Sequence, residues 1–261
     1  MRISIYQVDA FTSELFSGNP AAVCVVDEWL GDARLQAIAA ENNLSETAFL
    51  LRSGGGFKIR WFTPVVEVPL CGHATLASAF VVFNCLEWPE NTIRFQSLSS
   101  GVLPVRRHGD LLEMDFPARA PSRERVHRRL ADALGRSPAE VLGTTSDLLV
   151  VLEDERAVRE LKPDFPLLMQ VERRESIVSA TGEKCDFVSR FFAPHLGIQE
   201  DPVTGSAHCV LVPYWAKRLG KKRLHALQVS KRGGELFCQD RGDRVTIAGR
   251  ATLYLEGAIT I

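Results

Sequence analysis

The sequence predicts an α+β protein built from two related halves, each with strands arranged around a buried central helix. Three observations predict this class. Segments of alternating apolar and polar residues occur from residue 3 to the C-terminus, as strands require. Residues 73–84 are apolar on nearly every side, which is typical of a helix buried all round. A strand–turn–glycine–helix motif occurs twice, which indicates an internal duplication.

Composition limits the function. The chain has 261 residues, 46% apolar content and a formal net charge of -1, with both signs mixed along its length. It lacks the basic stripe that phosphate-backbone binding needs, so no nucleic-acid partner is expected. Its longest apolar run, residues 74–83, is too short for a membrane span. The six cysteines are scattered without a CxxC pair, which favours a reduced, cytoplasmic protein.

Elements of the first half follow from local signals. Strands are predicted at residues 3–8, 21–26, 48–51, 57–61, 93–95 and 112–116, and a helix at 32–42 that ends at Asn43. The triple glycine at 54–56 leads into an alternating strand rather than a helix. We therefore predict a hairpin connection there and not a phosphate-binding loop.

The proline-rich segment 117–121 marks the predicted domain boundary. Residues 1–117 form the first predicted domain, to which a strand at 250–261 returns, and residues 118–249 form the second. Ser122 is expected to cap a helix over 123–134 that presents Val126 on its apolar face. A capping box over residues 137–140 predicts another helix start. Further strands are expected at 147–152, 185–192 and 244–247, and a short helix at 155–161.

The internal repeat is specific. Residues 60–64 (RWFTP) match 190–194 (RFFAP), and residues 67–74 (EVPLCGHA) match 200–207 (EDPVTGSA) when the second copy gains three residues. Seven of these thirteen pairs are identical. Each copy then enters a mostly apolar helical stretch, so the match covers a complete structural unit.

This repeat also predicts a binding site. Gly72 and Gly205 each stand where a helix begins, and a helix N-terminus presents unpaired N–H groups and partial positive charge to an anion. A glycine leaves the backbone open to a ligand. Two such halves are expected to direct both helix ends at one cleft that holds a small carboxylate.

The residues that surround these positions resemble the PhzF family of phenazine-biosynthesis isomerases. The resemblance is carried by residues 9–11 (DAF), 16–23 (FSGNPAAV), 43–49 (NLSETAF), 72–75 (GHAT) and 200–208 (EDPVTGSAH). It continues to residue 235 and so spans almost the whole chain. It implies the diaminopimelate-epimerase fold, in which each of two pseudo-symmetric halves is a mostly antiparallel, barrel-like sheet around a central helix.

The resemblance assigns roles to matching residues. Glu46 matches the family's acid/base glutamate. The polar residues that surround the substrate match His73, Asp201 and Ser206, which complete the predicted catalytic set. Asn19, Gly72 and Gly205 match substrate-binding positions.

The activity implied is a cofactor-independent isomerisation. Glu46 would remove a proton from a small unsaturated carboxylic acid, dihydro-hydroxyanthranilate-like or amino-acid-like, and return it elsewhere. Partial burial is expected to raise the pKa of this carboxyl toward working pH. No metal or redox cofactor is expected, and a homodimer is the expected assembly.

Alternatives remain open. Taken singly, Glu46 and His73 are ordinary residues of a strand or turn and of a helix start. Epimerases of the implied fold use two cysteines; here Cys71 occupies the first position, but Thr204 occupies the second. The alternatives are a one-cysteine racemase or epimerase that uses Cys71, and a non-catalytic protein that binds small acids or acts as a scaffold.

Overall fold

The computed structural model describes residues 1–125 and 128–261. Within them the helices are α1 (Asp32–Asn42), α2 (Gly72–Asn84), α3 (Leu130–Leu134), α4 (Glu155–Arg159), α5 (Phe165–Val171) and α6 (Gly205–Leu219). The strands are β1 (Arg2–Ala10), β2 (Asn19–Val26), β3 (Glu46–Ser53), β4 (Gly56–Phe62), β5 (Glu67–Val68), β6 (Thr92–Ser97), β7 (Gly101–His108), β8 (Leu111–Pro117), β9 (Ser122–Arg123), β10 (Glu140–Gly143), β11 (Asp147–Val151), β12 (Glu175–Thr181), β13 (Phe187–Ala193), β14 (Ile198–Asp201), β15 (Arg223–Gln228), β16 (Gly234–Asp240), β17 (Arg244–Gly249) and β18 (Ala251–Thr260). The predicted α+β class is confirmed.

The chain divides into two compact units. Unit 1 comprises Met1–Asp115 and Ala248–Ile261, and unit 2 comprises Phe116–Ile247. From the sequence, the two boundaries between the units were predicted to lie after residues 117 and 249. Strand β18 pairs antiparallel with β1 along its length, so the C-terminal strand belongs to unit 1.

Unit 1 consists of paired strands that pack against the central helix α2. The strands follow the order β18, β1, β2, β3, β4, β6, β7, β8, with parallel pairing at β2–β3 and β4–β6 and antiparallel pairing elsewhere. Helix α2 packs against β1, β2 and β3. Ten of its residues are buried, on all sides of the helix, which confirms the prediction made from its apolar sequence.

Unit 2 repeats this succession. Strands β10 and β11 pair antiparallel, β11 and β12 parallel, β12 and β13 antiparallel, β13 and β15 parallel, and β15 and β16 antiparallel. Helix α6 follows β14 as α2 follows β5, and it packs against β11, β15 and β16. The two units are therefore duplicates in topology as well as in sequence.

The duplication extends to side chains. Arg60 donates from Nε and Nη2 to the two carboxylate oxygens of Glu67, both at 2.7 Å. Arg190 makes the same bidentate pair with Glu200, at 2.7 and 2.9 Å. Each guanidinium also lies 5.0 Å from the ring of the phenylalanine two residues further on. The repeated motif thus fixes the same turn in both units, because a bidentate pair sets orientation as well as distance.

Most local predictions are confirmed, including α1 with its left-handed C-cap at Asn43, the hairpin at the triple glycine, and helix α4. Two helix predictions are wrong. The segment predicted as a helix over 123–134 begins with strand β9, and its described residues are helical only in α3. Val126 lies outside the described residues. The capping-box segment instead leads into strand β10, which is paired on both sides. Pairing with two strands outweighs a local capping preference.

Among the described residues, no helix combines the length and apolar character that a membrane crossing would require.

Candidate active site

Glu46 occupies the first position of strand β3, opposite Ala21 of the parallel neighbour β2. Its side chain is only 13% exposed, so the carboxyl does not lie free on the outer surface. The preceding helix α1 ends at Asn43 in the left-handed conformation, and this turn directs the chain into β3.

His73 and Cys71 lie beside Glu46 at the start of α2. His73 Nε2 is 3.1 Å from Glu46 Oε2, at ion-pair distance but without hydrogen-bond alignment, and both atoms are buried. His73 Nδ1 is 3.5 Å from Cys71 Sγ and 3.2 Å from the side-chain nitrogen of Asn19. Unit 1 therefore brings together four polar side chains at the N-terminus of its central helix.

The charge state of this cluster differs from the prediction. Burial raises the pKa of Glu46, but the charge of His73 and the close polar contacts with His73 and Cys71 lower it below its ordinary value overall. Burial would lower the pKa of His73, yet Cys71 and Glu46 hold it well above the ordinary value. The expectation of a raised Glu46 pKa is therefore wrong, because an ion-pair partner outweighs desolvation. These two directions favour an ionised Glu46 beside a protonated His73.

Cys71 is a buried thiol in this arrangement. Burial, and then the charge of Glu46, raise the pKa of Cys71 above its ordinary value. One donor atom each from Glu46, Cys71 and His73 lies within 4.8 Å of the others, a carboxylate–thiol–imidazole set of the kind that holds zinc. These three residues could hold a divalent cation; the sequence-based expectation of no metal stays a prediction.

In unit 2, Asp201 and Thr204 form a buried network with Gln228. The Thr204 hydroxyl donates to the Asp201 carboxylate, and Gln228 Nε2 donates to the Asp201 backbone carbonyl at 2.9 Å. Gln228 Oε1 accepts from the Thr204 N–H at 2.8 Å. Gln228 stands in β15, far from the motif in sequence, and no local pattern identified it. The network fixes the turn that precedes α6.

Gly205 and Ser206 are the first two residues of α6, as Gly72 and His73 are of α2. Gly205 is buried and Ser206 exposed. The N-cap of α6 is Thr204, without a side-chain cap, so amides of the first turn are open for other acceptors. Arg119, which the sequence did not single out, donates from Nη2 to the Ser206 carbonyl at 2.7 Å.

His208, in α6, is held in place by a hydrogen bond and by ring packing. Its Nδ1 lies 2.8 Å from the Thr204 carbonyl, and its ring packs on Phe187. Burial lowers its pKa to about 4, so it is neutral. His208 therefore packs and hydrogen-bonds within the protein.

Glu46, His73, Asn19 and Gly72 thus lie together in unit 1, with Cys71 as an additional member. The predicted residues Asp201, Gly205 and Ser206 lie around the start of α6 in unit 2.

Comparison with known proteins identifies the family. Residues 8–257 match the family model PhzC-PhzF, described as phenazine biosynthesis-like protein. The chain belongs to this family. An uncharacterized isomerase of Pseudomonas aeruginosa is 54% identical, with both chains covered in full. A PhzF-family crystal structure from Enterococcus faecalis is 47% identical with a TM-score of 0.97, again over both complete chains.

A more distant structural similarity supports the fold assignment alone. The structure of a predicted epimerase from Pseudomonas aeruginosa is 20% identical and has a TM-score of 0.74 over 99% of each chain. The resemblance stated from the motifs is confirmed, as is the diaminopimelate-epimerase-like fold.

Proposed function

We propose that this PhzF-family protein is a cofactor-independent isomerase that moves a proton within a small unsaturated carboxylic acid, with Glu46 as the acid/base residue. The isomerase class follows from the family. The observation that carries the residue assignment is the buried contact of Glu46 Oε2 with His73 Nε2 at 3.1 Å, at the open start of α2. A dihydro-hydroxyanthranilate-like or amino-acid-like compound is the proposed substrate class.

Glu46 is suited to begin the reaction as a base. Its lowered pKa keeps it ionised at neutral pH, so it can accept a proton from a carbon next to an unsaturated acid group. Once protonated, the carboxyl is a stronger acid than an ordinary glutamic acid and returns its proton readily. The energetic difficulty therefore lies in proton removal, where negative charge develops on the substrate.

His73 is proposed to stabilise that developing charge. Its imidazolium is 6% exposed and lies against Glu46, in surroundings where water screens little of its field. The backbone N–H groups at the start of α2 add hydrogen-bond donors and partial positive charge. These groups are fixed before the substrate arrives, so little reorganisation accompanies the reaction.

We further propose that Asn19, Gly72, Gly205 and Ser206 bind the substrate and that Asp201 orients it, as the family resemblance implies. Asp201 already accepts from the Thr204 hydroxyl, which supports a role in shaping the turn at Gly205.

The test is exchange of carbon-bound protons with D2O, measured by mass spectrometry across a panel of small unsaturated carboxylic and amino acids. Wild-type protein is expected to label at least one acid. Glu46→Gln should bind that acid but exchange it about 10²–10⁴ times more slowly, the usual contribution of a general base. Glu113→Gln is the matched control, since it neutralises another ion-paired glutamate of unit 1, one that lies outside the repeated motif.

The outcomes separate the alternatives. Unchanged exchange in Glu46→Gln would refute the assignment of Glu46. Exchange lost in Cys71→Ser but kept in Glu46→Gln would establish the one-cysteine racemase instead. Binding of an acid without exchange of any in the panel would indicate a non-catalytic binding protein.

A further inference from the structure

The buried cluster at the start of α2 contains three side chains of the kinds that bind transition metals. Glu46 brings a carboxylate, Cys71 a thiol and His73 an imidazole, and one donor atom of each lies within 4.8 Å of the other two. Across residues 1–125 and 128–261 it is the one group of three or more such side chains with donor atoms this close. The proposed isomerisation uses the carboxylate and the imidazole but gives the thiol no task.

The spacing of the donor atoms suits zinc. Zinc holds its ligand atoms at about 2.0–2.3 Å, which places neighbouring ligand atoms of a tetrahedron about 3.3–3.8 Å apart. Cys71 Sγ lies 3.5 Å from His73 Nδ1, and Glu46 Oε2 lies 3.1 Å from His73 Nε2. These contacts end at different ring nitrogens, so the carboxyl or the thiol must shift by up to about 1 Å toward the nitrogen that binds the ion.

Two of the candidate ligand atoms lack a hydrogen bond. Glu46 Oε2 and His73 Nε2 are buried and have no hydrogen-bond partner, although they face each other at ion-pair distance. A buried polar atom without a partner is costly, and coordination to a metal ion satisfies such an atom. The Asn19 side chain contacts the other ring nitrogen, His73 Nδ1, at 3.2 Å, and a contact of that kind orients a ligating imidazole.

The charges of the cluster also permit a divalent cation. An ionised Glu46, a protonated His73 and a neutral Cys71 thiol together carry no net charge. Zinc ligation requires a neutral imidazole and a thiolate, so binding releases one proton from His73 and one from Cys71 to solvent. Two positive charges thus replace two, and the buried cluster stays neutral. The partial positive charge at the start of α2 opposes a bare cation but stabilises the thiolate that the ion requires.

We propose that Glu46, Cys71 and His73 form a zinc-binding site whose occupancy switches the isomerase off. The inhibition, though not the binding, rests on the proposed function. Zinc would take the carboxylate electron pair with which Glu46 accepts the substrate proton, and it would displace the proton that gives His73 its positive charge. Solvent reaches the cluster at the Glu46 side chain, which is 13% exposed. The ion is therefore an inhibitor of the proton transfer and not its cofactor.

The first test measures metal binding and needs no substrate. Protein stripped with EDTA and kept reduced is titrated with zinc against a chromophoric zinc indicator, and separately with cobalt(II). Wild-type protein should bind one zinc ion per chain, and its cobalt form should show thiolate-to-cobalt charge-transfer absorption. Mg²⁺ should not compete, because it prefers oxygen ligands. A cobalt form without the charge-transfer band would overturn the proposal from wild-type protein alone.

Variants locate the ion. Cys71→Ser should weaken zinc binding at least about 100-fold and remove the charge-transfer band, since loss of even an outer partner of a ligand costs about 10–100-fold. His73→Gln should weaken binding to a similar extent. Cys85→Ser is the matched control, because it removes a half-buried cysteine of unit 1 outside the cluster, and it should bind zinc as wild type does. Equal zinc affinity in Cys71→Ser and wild type would place the ion elsewhere and refute the site.

The second test measures exchange of carbon-bound protons with D2O, with and without zinc, on any acid that wild-type protein labels. Zinc at about ten times its measured Kd should slow wild-type exchange about 10-fold by mass action, and EDTA should restore the rate. Each protein serves as its own reference. At the same zinc concentration Cys71→Ser should show little inhibition and Cys85→Ser the full inhibition. An unchanged wild-type rate with zinc bound would refute the inhibition.

The two proposals fail differently. Absence of zinc binding, with exchange lost in Glu46→Gln, would refute the zinc site and leave the proposed function intact. Zinc bound through Cys71, with exchange unchanged in Glu46→Gln, would refute the proposed function and leave the binding site intact.

Discussion

The charge state of His73 follows from its pairing with Glu46 and can be measured without a substrate. In wild-type protein the imidazole should keep its proton well above pH 6.5, the ordinary midpoint. In Glu46→Gln the ion-pair partner is gone while the burial remains. Burial disfavours the charged imidazole, so the His73 pKa should fall, and the ring should be neutral at pH 7.

The distance between the charged groups of Glu46 and His73 sets the size of the change in the His73 pKa. Two unit charges 3.1 Å apart attract by about 5 kcal/mol at an effective dielectric constant of about 20. Desolvation of the buried pair offsets several kcal/mol of this, as is usual for such pairs. A residual of about 1.4 kcal/mol already changes the proton affinity tenfold. We therefore expect the His73 pKa to fall in Glu46→Gln by an amount that a titration resolves.

The assay is a pH titration of imidazole resonances by ¹H–¹⁵N NMR, with the His73 signals assigned by their loss in His73→Gln. Glu113→Gln should leave the titration unchanged. The Glu46–His73 pair stabilises the folded protein only within a defined pH range. The Glu46 contribution is present above about pH 4.5 and is lost on acidification; the His73 contribution is present below about pH 6.5 and is lost as pH rises through its raised pKa. An unshifted His73 in wild-type protein would refute the electrostatic account of this site.

Three further predictions test other parts of the account. Cys71→Ser should retain most proton-exchange activity, because a buried thiol with a raised pKa is a poor base; activity lost in this variant would contradict that. Gly18→Ala should lower the free energy of unfolding by about 2–4 kcal/mol, measured with urea, because Gly18 has a φ of 65° and its added Cβ would meet the Ala10 carbonyl. Glu175→Gln should gain stability relative to wild type as pH rises from about 5 to 8, because burial and the charge of Asp147 raise the pKa of Glu175 to about 7, so that its ionisation destabilises the folded state; a constant difference would contradict this.

The duplicated motif made much of the fold predictable. Matching Gly72 with Gly205 identified both central helices and the turns before them, because a glycine at a helix start and an all-apolar helix are local signals. Glu46 and His73 came from the family motifs, and the structure places them in contact. Their separation of 27 positions in sequence carries no spatial information by itself.

That Glu175 begins strand β12 as Glu46 begins strand β3 could not be found in this way. Glu46 precedes Arg60 by fourteen residues, but Glu175 precedes Arg190 by fifteen. This one-residue difference in hairpin length hides the correspondence until strand pairing is known. Arg119 is equally invisible, because its contact with the Ser206 carbonyl joins segments 87 residues apart.

The sequence analysis also predicted the wrong direction for the pKa shift of Glu46. Burial of Glu46 was expected to raise its pKa, but the sign depends on what faces the carboxyl, and a sequence does not give the distance to His73. Local capping signals failed for a related reason at Glu140, whose strand is fixed by its neighbours on both sides.

The central claim is that the Glu46 carboxyl moves the proton. The most direct measurement is the rate at which carbon-bound hydrogen of a small unsaturated acid exchanges in D2O, compared between wild type, Glu46→Gln and Glu113→Gln. We predict that exchange falls at least about 100-fold in Glu46→Gln and is unchanged in Glu113→Gln. Equal rates in all three proteins would contradict the account.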